Sequence, residues 1–333
     1  MSDVPLRIGI LGAARIAPMA LLRPARQVPE AVVVAVAARD AQRAQAFATK
    51  HGIGRVHPSY EALLADPHID AIYNPLPNSL HCEWTIRALQ AGKHVLCEKP
   101  MASNAAEAER MAEAARQSGR VLMEAFHWRY HPLAARMREI VDSGELGTLR
   151  HVETHFCVPL IIPGDIRYRL DLAGGATMDT GCYAISILRF LAGAEPEVVA
   201  AEARLSSPGV DRYMEADFRF ADGRTGRMTC SLFSAALVRM SARVRGDQGE
   251  LSVFNPIAPQ FYHRLTVRTA AGTRRERLRG DATYTYQLRA FVDAVRNGKP
   301  FPTDPAHAIL NMRVIDAVYT AAGLPPRGAT TAA

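Results

Sequence analysis

Residues 6–17 read LRIGILGAARIA, and residues 31–40 read AVVVAVAARD. The first stretch is an apolar run that stops on Gly12. The second is an unbroken, largely β-branched run that stops on Arg39 and Asp40. Strands without polar alternation are those buried on both faces, as in a parallel sheet covered by helices. The residues between the two runs predict a helix over 13–27, with Pro18 either in its first turn or delaying its start. Outward from this pair the alternation continues. Helices are expected at 40–51, 60–65, 81–91 and 104–118, three of them closed by Gly52, Gly92 and Gly119. Strands are expected at 56–57, 69–73, 94–97 and 121–125. Strand and helix in turn, with short connections, predict a doubly wound parallel sheet, and residues 1–124 are the right size for a dinucleotide-binding domain.

The period changes after that. A helix at 132–143 is followed by alternating segments at 149–158, 197–204, 215–220, 225–234, 238–246, 250–253 and 265–269. They predict a second, α+β domain over 125–333, built on a large, mostly antiparallel sheet with one face covered and one open. A helix at 178–191 is expected to pack across that sheet. No element is assigned between 269 and 306. A last helix covers 306–322, and the tail PPRGATTAA at 325–333 is expected to be disordered.

Composition narrows the function. The five cysteines are scattered, with no C-x-x-C pair, which argues against a disulfide framework or a zinc cluster and for reduced core thiols. No apolar run approaches the ~20 residues of a membrane span, and residues 1–12 lack a signal-type core, so a cytoplasmic location is expected. The net charge of +7 is spread along the chain rather than gathered on a nucleic-acid motif. Diffuse positive charge suits an anionic cofactor or a small-molecule substrate. His151, Glu153 and His155 alternate on one strand face. We read them as the polar side of the open sheet, with no metal expected.

The turn after the first strand is Gly12-Ala13-Ala14-Arg15-Ile16-Ala17. It keeps the first glycine of G-x-G-x-x-G, replaces the second by Ala14, and has the permitted alanine third. Its placement favours a pyrophosphate at the following helix start, with Arg15 and Ile16 beside it. The second strand ends Ala37-Ala38-Arg39-Asp40. No acid stands at 37 or 38, and the Arg39 guanidinium can fork onto a 2′-phosphate. NADP(H) is therefore preferred, with NAD(H) possible. Asp40 is either a helix N-cap or, in a shifted register, the ribose acid.

A further strand ends in an unexpected way: HVLCEKPMA at 94–102 passes from core residues to Glu98-Lys99-Pro100. Of 40 basic side chains only four are lysines, so a lysine at the end of a core strand needs a reason. With Asn74-Pro75-Leu76-Pro77-Asn78-Ser79-Leu80-His81, Ala91-Gly92-Lys93-His94-Val95, the segment 124–132 (EAFHWRYHP) and Gly174-Gly175-Ala176-Thr177-Met178-Asp179-Thr180-Gly181-Cys182-Tyr183, the chain resembles the Gfo/Idh/MocA oxidoreductases over residues 6–322. Tyr183, where other members carry His, is similar to the branch of glucose–fructose oxidoreductase, dihydrodiol dehydrogenases, NADP-dependent xylose dehydrogenases and sugar ketoreductases.

The resemblance implies a Rossmann domain followed by an open-sheet domain that forms a homodimer or homotetramer through the open face. It implies that Lys99 and Tyr183 converge on the nicotinamide, that Pro75, Asn78, His81, Glu98 and Lys99 lie on the cofactor side, and that the substrate is carbohydrate-like. The chemistry is sound independently. A tyrosine titrates near ~10 and is a weak base at neutral pH, but a neighbouring ammonium favours the phenolate. Tyr183 would act as acid or base with Lys99 assisting. Asp179, one helical turn away, would hold Lys99 or a substrate hydroxyl. Trp128 and Arg167 are candidates for the substrate wall, and the loop at 156–170, with Pro159, Pro163 and Gly164, for substrate choice. Two alternatives remain open: redox-assisted glycoside elimination with retained NAD, and a non-catalytic NADP-binding regulator.

Overall fold

The computed structural model describes residues 4–162 and 164–328. Pro163 and the expected disorder of 329–333 lie outside the described residues. Contacts divide the chain into two compact units. One takes in the chain to Ala102, then Ala106–His127 and Tyr284–Ile309; the other takes in Ser103–Ala105, Trp128–Thr283 and the chain from Leu310.

In the first unit six strands pair in parallel: β1 (Leu6–Leu11), β2 (Ala31–Ala37), β3 (Arg55–His57), β4 (Ala71–Asn74), β5 (His94–Cys97) and β6 (Leu122–Glu124). Their order is β3-β2-β1-β4-β5-β6, so the winding direction reverses between β1 and β4. Ile8, Ile10, Leu11, Val36, Ile72 and Val95 are buried on both faces, as the unbroken apolar runs require. The helix after β1 begins at Pro18 rather than at 13. It opens as one wide turn, Pro18–Leu22, closed by the Arg23 N–H on the Pro18 carbonyl. A proline has no amide hydrogen to lose at that position. The Asp40 carboxylate caps the helix Ala41–His51 by accepting from the Arg43 N–H at 3.0 Å.

The helix Thr283–Asn297 falls in a stretch to which the sequence reading gives no element, and in the second domain as read. Among its buried residues, Tyr284, Leu288, Phe291 and Val292 follow the spacing of one helix face. Nearby, Thr303 is tied to β6 of the first unit: Glu124 N–H donates to its carbonyl at 3.0 Å and its hydroxyl donates to the Glu124 carbonyl at 2.7 Å.

The second unit carries an eight-stranded sheet. Its strands are β7 (Leu149–Cys157), β8 (Glu197–Ser207), β9 (Val210–Arg219), β10 (Thr225–Ser231), β11 (Arg239–Gly246), β12 (Gly249–Phe254), β13 (Arg264–Thr269) and β14 (Gly272–Glu276). The order is β14-β13-β12-β11-β7-β10-β9-β8, antiparallel throughout except where β10 runs parallel to β7. Val152, Met214, Ala216, Phe218, Met228 and Cys230 are buried. The helix Cys182–Ala192 packs on the sheet, with the Thr154 hydroxyl donating to the Ala184 carbonyl at 3.0 Å. The alternate residues are charged and pair across strands, as in Arg227 Nε to Asp217 at 2.6 Å. All five cysteines are buried free thiols.

The tail departs from expectation between Pro325 and Gly328. Arg327 is 1% exposed and its Nη2 meets Asp211 Oδ1 at 2.7 Å. A buried charge-assisted pair, not a local propensity, orders this segment.

One peripheral cluster predicts a pH effect. Glu276 on β14 takes Arg136 Nε at 2.7 Å and Arg274 Nε at 3.0 Å, and Arg274 also pairs with Glu145. The hydrogen bonds from Arg136, seconded by Arg274 against the cost of burial, pull the Glu276 carboxyl down to about 2. An unfolded glutamate titrates near ~4.3. The pair therefore stabilises the fold fully above that value and is lost as pH falls toward 2. Thermal unfolding of wild type between pH ~5 and ~2.5 should show a steeper loss than Glu276→Gln; parallel curves would refute the assignment.

Candidate active site

At the carboxyl edge of the parallel sheet five segments come together by register alone. Leu11 lies beside Ala37, Asn74 beside Cys97, and Cys97 beside Glu124. The turns that follow carry Gly12 to Ile16, Arg39, Pro75 to Asn78, Glu98 to Lys99, and His127. In open α/β sheets ligands bind at this edge, at the switch point, here between β1 and β4. Gly12 has φ 84° and donates its N–H to the Ala37 carbonyl at 2.6 Å. A Cβ there would meet Leu76 Cδ2 at 3.1 Å, so the tight turn needs glycine. Ala14 and Ile16 are half-buried and Arg15 is exposed at the helix start.

These residues fit a dinucleotide whose ribose bears a phosphate. Arg39 is exposed at the end of β2. The Asp40 carboxylate is committed to its helix cap, which resolves the alternative left open by the sequence. Ala37 and Ala38 supply no other acid.

The strand β5 is followed by Glu98, which is turned inward: its Oε1 accepts from the Tyr73 hydroxyl at 2.6 Å. Lys99 is half-buried and its bond to Pro100 is cis. His81 departs from its expected place against the cofactor. It is fully buried, with Nδ1 2.9 Å from the Pro100 carbonyl and Nε2 2.7 Å from the Leu76 carbonyl. With no exposed surface it ties the Glu-Lys-Pro turn to the loop after β4 instead of touching a ligand. Burial lowers its pKa to about 4 against the pull of both carbonyls, with Lys99 adding to the fall, so the neutral ring donates to one of the two. Asn74 fixes the same loop. Its side-chain amide donates to the Thr85 hydroxyl at 3.1 Å and its carbonyl accepts from the Leu76 N–H at 3.3 Å.

In the second unit Tyr183 opens the helix Cys182–Ala192. It is 5% exposed, edge-on to Phe156 with centroids 5.4 Å apart. The preceding turn, Thr177–Gly181, is another wide i→i+5 turn, closed by the Cys182 N–H on the Thr177 carbonyl. Such turns recur at functional sites. It carries Asp179, whose carboxylate takes Arg167 Nε at 2.9 Å, while Arg167 Nη1 reaches Asp165 at 3.1 Å. Asp179 first, helped by Asp165, raises the Arg167 pKa against burial. Asp179 does not cap the helix: the turn has no side-chain cap.

Trp128 departs from its expected place at the substrate wall. It is 0% exposed and packs at 72° on Phe190, 5.4 Å between centroids, with Arg129 over Phe190 at 3.9 Å. An indole without surface cannot meet a ligand. The alternating histidines pair locally: His155 Nε2 lies 3.0 Å from Glu153, and His151 Nδ1 lies 2.8 Å from the Thr225 hydroxyl. No group of three or more metal-ligating side chains occurs among the described residues.

Two features have no counterpart in the sequence reading. His127, 3% exposed, lies against the Tyr284 ring at 4.0 Å, and burial followed by the Lys99 charge lowers its pKa to about 3. Its position right after Phe126, at the carboxyl edge, is the available signal. The Asp211–Arg327 pair has a weaker signal: buried Val210 and Asp211 adjoin and so break the alternation of β9.

A profile of the Gfo/Idh/MocA oxidoreductase family, with its NAD-binding Rossmann fold, matches residues 6–126, and one of the Gfo/Idh/MocA C-terminal domain matches residues 134–252. D-xylose 1-dehydrogenase (NADP(+)) 2 of Haloferax volcanii is 38% identical over 321 residues, covering 95% of this chain and 97% of that protein. The dTDP-3,4-didehydro-2,6-dideoxy-alpha-D-glucose 3-reductase of Streptomyces violaceoruber is 35% identical over 331 residues, 96% of each chain. The crystal structure of KijD10, a 3-ketoreductase from Actinomadura kijaniata in complex with NADP and TDP-benzene, matches with a TM-score of 0.89 at 32% identity, over 95% of this chain and 98% of that one. The chain is thus a dehydrogenase or reductase, and it belongs to the Gfo/Idh/MocA family of oxidoreductases.

Proposed function

We propose that this enzyme moves a hydride between NADP(H) and a carbinol or keto carbon of a cyclic sugar, polyol or trans-diol. The observation that carries the reading is Tyr183 at the head of a buried helix, one turn after an Asp179 held by Arg167, in a chain whose parallel sheet presents Lys99 at its ligand-binding edge. NADP(H), when bound, accepts or supplies the hydride. The protein handles the proton. In reduction the Tyr183 hydroxyl donates to the oxygen that becomes an alkoxide; in oxidation the phenolate removes the hydroxyl proton. The Lys99 ammonium stabilises the negative oxygen and favours the phenolate. Arg167 and Asp179 offer a donor and an acceptor to neighbouring substrate hydroxyls.

The exposed Arg39, beside an Asp40 that serves as a helix cap, supports NADP(H) over NAD, and so weighs against the elimination reading, which uses NAD. A turnover screen with NADP⁺ and NADPH against aldoses, keto-sugars and trans-diols tests the reading. Turnover of at least one class is expected; inertness toward all three would sink it. Arg39→Ala should weaken NADPH binding by about 10–100-fold, the value of a lost charged hydrogen bond, and leave NADH nearly unchanged. Equal effects on both would remove Arg39 from the 2′-phosphate. The open charged face of the eight-stranded sheet is the expected self-association surface. Sedimentation should show a dimer or tetramer, and a monomer at micromolar concentration would exclude it.

A further inference from the structure

We propose that Asp211, Arg327 and Tyr319 form a buried anchor that positions the 174–181 turn, and through it Asp179 and Tyr183. The proposal rests on the reading of those two as reaction-bearing residues. Asp211 is fully buried and spends both oxygens. Oδ2 accepts from the Thr177 N–H and hydroxyl, both at 2.7 Å, and Oδ1 accepts from Arg327 Nη2 at 2.7 Å and the Tyr319 hydroxyl at 3.0 Å. Arg327 Nε donates to the Gly174 carbonyl at 2.8 Å, and its guanidinium lies 4.1 Å over the Tyr319 ring. The Arg327 carbonyl accepts from Asn104 Nδ2 at 2.7 Å. The turn is thus gripped at Gly174 from one side and at Thr177 from the other.

Gly175 sits between these grips at φ 131°. A Cβ there would overlap Asp211 Oδ1 and come within 2.9 Å of both Arg327 Nη2 and the Tyr319 oxygen. The grip is passed on by short links. The Gly175 N–H donates to the Arg167 carbonyl at 2.8 Å, and the Asp179 N–H donates to the Gly175 carbonyl at 3.1 Å. The Arg167–Asp179 pair therefore rides on the anchored turn, and Tyr183 follows Asp179 by one turn of the same helix. A displacement of order 1 Å at such a group costs about 10²-fold in rate. Asp211, Arg327 and Tyr319 are positioning residues, since the contacts described keep them within the protein.

Two variants separate anchoring from folding. Arg327→Lys keeps the charge and loses the fork; Tyr319→Phe removes one donor and keeps the ring. Each is compared with wild type and Tyr183→Phe. Amide exchange across the second unit outside 176–183 serves as the fold control, because both variants lie in that unit; NADPH fluorescence titration reports on the other one, where the residues assigned to the cofactor lie. Amide exchange is followed over 176–183. Turnover with NADP⁺ uses whichever of D-xylose, D-glucose and trans-1,2-cyclohexanediol wild type oxidises fastest. We expect wild-type NADPH affinity, faster exchange confined to 176–183, kcat lower by about 10–100-fold with KM within about threefold, and a displaced acid limb of the kcat–pH profile for oxidation. A structural role alone would not move that limb. If Arg327→Lys exchanges faster throughout the second unit, Tyr319→Phe decides by the same readouts. A folded variant with wild-type exchange overturns the anchor, as does one with altered exchange but wild-type kcat and pH profile. Wild-type turnover by Tyr183→Phe, or an inert wild type, overturns instead the reading of the site beneath it.

Discussion

Tyr183→Phe is expected to lower kcat about 10³-fold, within the range of a lost general acid or base, while NADPH binding and the unfolding temperature stay near wild type. The ring keeps its edge-on contact with Phe156 and its burial, so only the hydroxyl is removed. What is lost is the proton donor to the nascent alkoxide, or its acceptor in the reverse direction. Lys99→Met should act on the same step in a different way. Without the ammonium, the tyrosine reverts toward its free value of ~10. On the proposed pairing, the acid limb of kcat for oxidation, on which Tyr183 becomes protonated, then moves to higher pH and the plateau falls. Steady-state kinetics across pH separate the two variants. Phenylalanine at 183 with wild-type kcat would refute the acid–base role, and an unmoved limb in Lys99→Met would refute the role of the lysine.

The second large effect is on stability. Asp211→Ala should cost about 3–5 kcal/mol in the second unit, the usual consequence of removing one partner of a buried ion pair. Arg327, 1% exposed, would keep its charge with no carboxylate beside it. The Thr177 N–H and hydroxyl and the Tyr319 hydroxyl would lose their common acceptor. Denaturant unfolding followed by a probe in the second unit reads this directly. A change below about 1 kcal/mol, the scale of an exposed pair, would mean that water reaches the site and the pair is not buried in solution.

The parallel half was legible because its central strands β1, β4 and β5 are buried on both faces and several of its helices stop on glycine, both local signals. Where two local signals competed, at Pro18, the structure chose the later helix start. The helix Thr283–Asn297 escaped because polar residues share its buried side: Thr283, Thr285 and Gln287 are as closed off as Tyr284, Leu288 and Phe291, and a basic stretch precedes it. Arg327 escaped for a different reason. Its order comes from Asp211, 116 positions away, and no window of a Pro-Gly-Ala-Thr tail contains that partner.

The candidate site divides in the same way. Gly12, Arg39 and Lys99 stand where strand ends place them, so sequence position was enough. Asp179 and Tyr183 needed the motif rather than the pattern. His81 and Trp128 were assigned surfaces that packing denies them: a histidine enclosed between two carbonyls and an indole closed in by Phe190 are tertiary facts. Burial of a polar or aromatic side chain is what one sequence discloses least.

A fluorescence titration of the purified protein with NADPH and NADH side by side is the most direct test that this chain is an NADP(H)-using oxidoreductase. Saturable binding of NADPH is expected, with NADH weaker by about tenfold or more, the difference of one charge-assisted contact at the 2′-phosphate. Saturable binding of neither cofactor would show that the Gly12–Ala14 turn holds no dinucleotide, and the proposed chemistry of Lys99 and Tyr183 would fall with it.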